Sequence, residues 1–303
     1  MPINTLAFKT KFTDKLDKEL AIKSVVTKLL DASFASEFKG AKTVSIPDVS
    51  FNGMLNYDRD NGFSRQPVTV ARELYTLSQD RQESFLIDRE DMDEIGIASL
   101  AGQMMSEFVR TQVVPEMDAY SLSKITTYAT TNQGGTAPDA STVIALLNKC
   151  IGAVQDKIGY GEGGIVFVNP TVWGLLNTST SFTRILKAEE FKRGEINTQV
   201  WKYNDFIIQP VPQLRMYDAY TFATDGTGSV TSGFEPASTA NIVDMIALPM
   251  NGASVVKKTE KIRTFSPDEL QTHDAYKFDY RLYYDTFVKK NMRGAIAVAK
   301  HAQ

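Results

Sequence analysis

The chain has little of what enzymes and disulfide-rich folds are built from. Among 303 residues there is one cysteine, Cys150, and there are two histidines, His273 and His301. A single thiol forms no internal disulfide, so stability does not depend on an oxidising compartment. One cysteine and two distant histidines supply no HExxH or CxxC spacing and no Cys/His nucleophile pair. A G-x-S-x-G elbow is also missing. No apolar run approaches the roughly 18 residues of a membrane span. The opening MPINTLAFKTKFTDKLDKEL is broken by Lys and Asp and has no apolar core of signal-peptide length. Positive charge is not in excess, because the formal net charge is −3. These absences predict a soluble protein made in a cytosol, with no membrane partner, metal or cofactor, and not an enzyme.

What is present is ordinary globular material. The chain is 43% hydrophobic, 23% charged and 10% aromatic, enough to bury a sizeable core and too aromatic for an acidic solvating chain. Residues 1–40 read as an arm. Leu16, Leu20, Val25, Val26, Leu29 and Leu30 suggest a short amphipathic helix, which could dock on a neighbour or fold back. Residues 41–87 read as two extended arms around a polar tip, interrupted by Pro47 and turned near Asn61-Gly62, with too few apolar residues to form a core. A long projecting hairpin fits this pattern. Near Asp88 the period changes from two to helical. Ile97, Leu100, Met104 and Phe108 recur, and so do Ala101 and Met105. This long helix extends to about Tyr128, with Pro115 expected to kink it or end its first half. The segment 88–139 closes in a loop. An α/β unit at 140–245 then contains a helix over about 141–157, the buried strand IVFVN, a helix begun by Pro170 and a strand region from Trp201 to Gln213. TDGTGSVTSG (224–233) reads as an exposed loop. Residues 246–303 are β-rich. Tyr276, Phe278, Tyr280, Leu282 and Tyr284 alternate with Lys277, Asp279, Arg281 and Asp285, so one apolar and one charged face are expected.

Four clusters could carry chemistry. Gly159, Gly161, Gly163 and Gly164 follow a helix and precede a strand, the reverse of a phosphate loop, and read as a plain turn. Asp88, Glu90, Asp91, Asp93 and Glu94 could hold a metal, but capping a helix N-terminus is the simpler account, with Arg81 and Arg89 partly neutralising them. These charges could equally pair with a neighbouring subunit. Arg59, Arg65 and Arg72, with Tyr57 and Phe63, populate the hairpin. They form either a solvated loop or an interface, where Arg and aromatics concentrate. Lys257, Lys258, Lys261 and Arg263 read as the wet face of a sheet rather than a DNA-binding strip.

Two stretches carry a resemblance. LYTLSQDRQESFLIDREDMDE (74–94) and AYKFDYRLYYDTFVKKNMRGAIAV (275–298) resemble the return of the extended loop and the terminal strands of tailed-phage major capsid proteins. The order of elements fits that family along nearly the whole chain. The resemblance implies an α+β, HK-97-like capsid fold with an N-terminal arm, an extended β-hairpin loop (41–87), a long spine helix (88–139), an axial domain (140–245) and a return to the peripheral domain (246–303). It further implies pentamers and hexamers of an icosahedral virion head, assembled in a host bacterial cytoplasm around weakly contacted double-stranded DNA. Scaffolding protein, portal, maturation protease or decoration protein would be partners. Tyr57, Arg59, Phe63, Arg65, Arg72, Arg81, Asp88, Arg89 and Asp91 are then candidate inter-subunit contacts. The chain departs from members that weld their shells through a loop lysine, since no Lys occurs from Thr43 through Ser123. No crosslink of that kind is expected. The short arm implies that scaffolding is a separate protein or already removed. An encapsulin-type nanocompartment shell, a tail or baseplate component and a soluble α/β enzyme are the alternatives.

Overall fold

The computed structural model describes residues 24–27, 29–30, 42–50, 52–57, 59–60, 62–63, 65, 67–90, 100–179, 187–193, 196–224, 230–270 and 272–303. Leu16, Leu20, Asn61, Asp91, Asp93, Glu94, Ile97 and residues 225–229 lie outside that set.

Strands β1 (Thr43–Ser50) and β2 (Thr69–Thr76) pair antiparallel along their full length as a two-stranded sheet. Their register puts Thr43 opposite Thr76 and Ser50 opposite Thr69. Only the root of this hairpin is buried, where Tyr75 and Leu77 pack with Val256 and Phe287. Strand β3 (Gln79–Asp88) follows and forms the edge of an antiparallel sheet in the order β12-β13-β3, where β12 is Ala253–Phe265 and β13 is Ala275–Val288.

A helical run then lies across that sheet: α1 (Leu100–Phe108), a π-helical segment (Val109–Val113) and α2 (Val114–Tyr128). The π segment explains how the helix survives Pro115. Proline lacks an N–H and its ring crowds the carbonyl four residues back. A turn closed by i→i+5 bonds, with Val114 N–H donating to Val109, opens room at that point. Helical dihedrals are kept on both sides, at Phe108 and at Val114. The run therefore changes pitch instead of ending. Met105, Val109, Val114 and Met117 pack on Phe278, Tyr280, Leu282 and Tyr284. Met104, expected on the apolar stripe, is exposed, and its neighbour Met105 takes the buried position.

The second sheet has seven strands in the order β4-β14-β11-β5-β8-β7-β6. They are β4 (Thr131–Asn132), β5 (Gly164–Val168), β6 (Lys187–Arg193), β7 (Ile196–Tyr203), β8 (Phe206–Pro210), β11 (Ile242–Pro249) and β14 (Ala297–His301). Helices α3 (Val143–Ile158) and α4 (Pro170–Thr178) cover one face through Leu147, Cys150, Val154, Val172 and Leu176. Leu122, Ile125, Val25, Val26, Leu29 and Leu30 cover the other. Strand β5 is buried on both faces, with Ile165 and Phe167 to one core and Val166 and Val168 to the other, which explains its unbroken apolar sequence. Gly159 and Gly161 have φ of 96° and 93°, so the glycines form a helix-to-strand turn. At Gly164 a Cβ would lie 2.3 Å from the Phe206 ring, so glycine there permits close approach of β8. The strand region at 201–213 is a hairpin rather than one strand: Asn204 and Asp205, with φ of 47° and 66°, turn β7 into β8.

Of the two courses open to the arm, its described part folds back: Val25, Val26, Leu29 and Leu30 are buried in the main core. Two expectations are corrected. The boundary at 245 falls inside β11, and the closing strand β14 joins the seven-stranded sheet beside it, because Ala297, Val298 and Ala299 need cover on both faces. Asp285 is not on a charged wet face. From Tyr284 onward β13 is buried on both sides. Short β9 (Tyr220–Phe222) and β10 (Phe234–Pro236) form a separate pair.

Candidate assembly surface

The hairpin leaves more apolar surface uncovered than any other element described. Val70 and Leu74 are exposed on one face of β2, with Arg72 between them and Pro47 opposite Arg72 in register. At the tip Met54, Leu55, Tyr57 and Phe63 are exposed, Phe63 at 91%. The Tyr57 and Phe63 rings meet edge to face at 5.1 Å. Arg59 and Arg65 are exposed beside them. Exposed apolar side chains gathered on one element mark an interaction surface.

The root of the hairpin is fixed by half-buried polar contacts. The Arg293 guanidinium donates to Glu73 and lies 4.7 Å above the Tyr128 ring. The Tyr75 hydroxyl donates to Glu73 at 2.6 Å, and burial together with that carboxylate pushes the phenol up. Where the chain leaves the hairpin, Ser78 donates from N–H and hydroxyl to Asp285 at 3.0 and 2.8 Å. The same carboxylate accepts from Tyr120 at 2.9 Å and from the Lys124 ammonium of α2. Burial depresses the Lys124 ammonium, but the Asp285 carboxylate outweighs it and leaves its pKa raised. Asp285 thus joins the hairpin exit, the helix and β13 at one point.

A second buried carboxylate latches the arm. Asp118 of α2 accepts from the Ser24 hydroxyl at 2.5 Å, from Val25 and Val26 N–H at 3.0 and 3.3 Å, and from Arg215 at 2.9 Å. Burial raises its pKa against these contacts. Asp244 is the third, with Asn169 at 3.1 Å and His301 at 2.8 Å. Reading the sequence missed all three. Asp118 had a signal: it shares the buried helix face of Val114, Ser121 and Ile125, where a charge demands a partner. Asp244 had one too, as the lone charge in the apolar run of β11, whereas Asp285 continues an alternation with Lys277, Asp279 and Arg281 and had none.

The other anticipated residues separate into groups. Arg81 does not neutralise the acids near 88. It pairs with Glu116 and donates to the carbonyls of Ala223 and Gly233, because its strand position turns it toward α2. Asp88 caps the following turn by accepting from Glu90 N–H at 2.9 Å. Arg89 lies 3.7 Å from Asp274 in an exposed pair. Lys257 meets Glu260 at 3.2 Å, and Lys258 lies over Tyr283 at 5.7 Å. Among the described residues, no group of three His, Cys, Asp or Glu side chains is placed to hold a metal. No helix among the described residues is long and apolar enough to cross a membrane.

No protein-family model and no curated protein matches the chain. Solved structures do. The capsid of cyanophage P-SCSP1u superposes with a TM-score of 0.61 at 12% identity, covering 93% of this chain and 89% of that one. The mature capsid of bacteriophage PhiM1 gives 0.60 at 12% identity, covering 93% and 86%. A virus-like particle from Pyrococcus furiosus gives 0.52 at 12% identity, covering 96% and 99%. The chain has the α+β fold found in these capsid and particle structures.

Proposed function

We propose that this chain is the major capsid protein of a tailed phage, a structural protein that assembles with copies of itself into an icosahedral head around double-stranded DNA. The hairpin carries the reading. An element with exposed Leu74, Val70, Phe63 and Met54 gains stability only by lying on a partner, and it stands on a fold shared with capsid subunits over most of both chains. In this reading β1 and β2 are the extended loop and the run from α1 to α2 is the spine. That spine, with the sheet β12-β13-β3, forms the peripheral domain, and the unit around α3 and α4 forms the axial domain. Tyr57, Arg59, Phe63, Arg65, Arg72, Asp88, Arg89 and Asp91 remain the proposed contacts. Arg81 is engaged within its own chain and contributes by bracing β3 on α2. Heterologous contacts repeated around rotation axes close into rings and shells. Scaffolding, portal, protease or decoration proteins would act on the assembled form.

A second reading, the encapsulin-type nanocompartment, is favoured by the Pyrococcus furiosus particle, matched over 99% of its length. Electron microscopy of the purified protein, expressed alone and with its genomic neighbours, tests both. Closed shells or capsomer rings are expected. Terminase and portal genes beside it support the phage head, and a cargo enzyme supports the compartment. A well-folded monomer in both preparations overturns the shell reading.

A further inference from the structure

A cavity of about 340 Å³ opens between the helical run and strands β3 and β13, within the size range of small-molecule sites. Phe85, Phe108, Val113, Tyr280 and Leu282 form its apolar walls, with Phe108 edge to face with Phe85 at 4.9 Å and with Tyr280 at 5.7 Å. A smaller apolar pocket of about 50 Å³ shares Phe85 and Phe108 and adds Ile87, Met104, Met105 and Phe278. Exposed Met104 suits such a wall, because an unbranched thioether adapts to what it meets. The charged groups here are already spent. Arg81 pairs with Glu116 and donates to the carbonyls of Ala223 and Gly233, and Glu83 is exposed to screening water. Two neutral groups remain. The π segment brings Gln112, whose amide is both donor and acceptor, and single π-helical turns are frequent at functional sites. Tyr284 is 1% exposed, and its hydroxyl is buried with no hydrogen-bond partner, a state that calls for one. The Glu116 and Arg81 charges both act on that hydroxyl, which places it at the ion-pair end of the cavity.

We propose that this cavity binds a small uncharged aromatic molecule carrying one neutral hydrogen-bonding head, an amide or its equivalent. The ring lies among Phe85, Phe108 and Tyr280, and the head meets the Tyr284 hydroxyl and the Gln112 amide. Aromatic walls select a flat ring, because edge-to-face and offset contacts add to its burial. Ions are rejected. A carboxylate finds Arg81 engaged and Glu83 nearby, an ammonium finds Glu116 paired, and each loses its hydration on entry. A neutral amide loses less and supplies both an acceptor and a donor. The hydroxyl is closed to solvent, so the head reaches it by parting side chains at the ion-pair end, and the hydrogen bond gained there offsets the opening. This binding is separate from self-assembly and does not rest on the shell reading.

The test uses the full-length chain as free subunits and four probes of similar size: benzamide, toluene, benzoate and benzylammonium. Saturation-transfer NMR reads their affinities. Benzamide should bind about tenfold tighter than either ion, and Tyr284→Phe should weaken benzamide about fivefold while leaving toluene unchanged. The Tyr284→Phe chain should melt no lower than the wild type, because it loses a polar group that has no partner. Gln112→Cys locates the site. Its position is exposed, whereas native Cys150 is buried with its thiol pushed up to about 12 and does not compete. Saturating benzamide should slow maleimide labelling of Gln112→Cys about threefold or more. Absent or equal binding of the four probes, benzamide affinity indifferent to Tyr284→Phe, or labelling that benzamide leaves unchanged overturns the site. A Tyr284→Phe chain that melts lower also overturns it, since the hydroxyl then has a partner in an ordered water. None of these outcomes touches the shell reading, which microscopy decides.

Discussion

Replacing Asp285 with asparagine should loosen the hairpin root more than any surface change. The carboxylate is fully buried, and Lys124 is 21% exposed. Besides the ion pair it accepts from Ser78 twice, from Tyr120 and from its neighbour Thr286 N–H. Asparagine keeps the shape but loses the charge, and its amide turns a donor toward other donors. Breaking a buried pair from one side costs about 3–5 kcal/mol. Two charge-assisted bonds at roughly 1.5–3 kcal/mol each give the same range. A loss near 4 kcal/mol is expected in urea unfolding of subunits kept below their assembly concentration. Hydrogen exchange should rise first at 43–50 and 69–78, while β5 and β11 stay protected. The pH dependence has a sign. In the wild type the Lys124 pKa is raised above its ordinary 10.5, so this contribution is full below 10.5 and is lost as pH rises through the raised value. Without Asp285 the depressing effect of burial is opposed only by the Tyr120 hydroxyl, so that pKa falls. The variant then gains relative stability as Lys124 deprotonates, and the two curves converge at high pH. Adding Lys124→Gln should recover part of the loss. A cost below about 1 kcal/mol, or a gap that widens above pH 10.5, would refute the ion pair as the anchor of the hairpin.

Asp118→Ala should free residues 24–30, seen as faster exchange at Val25 and Val26 and new protease cleavage nearby, with the sheet unaffected. Unchanged protection there would mean that apolar burial alone holds the arm. Asp139 accepts from Ser141 and Thr142 ahead of α3, and these bonds, led by the Ser141 hydroxyl, hold its carboxyl at about 2. Its support of the helix start is present above the ordinary 3.8 and fades as pH falls toward 2; Asp139→Ala should remove that acid-dependent step in exchange at the first turn of α3. Gly164→Ala puts a methyl 2.3 Å from Phe206 and 2.6 Å from the Leu248 carbonyl, and should cost about 1–3 kcal/mol or more in thermal unfolding.

The sequence by itself determined the elements whose signal is local. Alternation in Tyr276–Tyr284 marks β13, because one face meets α1 and α2 and the other meets less. Pro170 after Asn169 marks the start of α4, where proline needs no N–H and the Asn169 side chain accepts from Val172. The apolar poverty of 41–87 foretold a hairpin that its own chain does not bury, but the hairpin ends at Thr76, and Gln79–Asp88 pairs with β13 as the edge of another sheet. Only the tertiary structure decided where distant segments meet. Ser78 and Asp285, Ser24 and Asp118, and Asp244 and His301 are far apart in sequence, and no spacing rule joins them. The same holds for β14 entering the seven-stranded sheet and for the cavity beside the π segment: both exist because two surfaces made from separate stretches were brought within contact distance. Burial then changed the meaning of single residues. Asp285 reads as solvent-facing in the alternation of its strand, and becomes an anchor because a helix more than a hundred residues earlier in the chain covers that face.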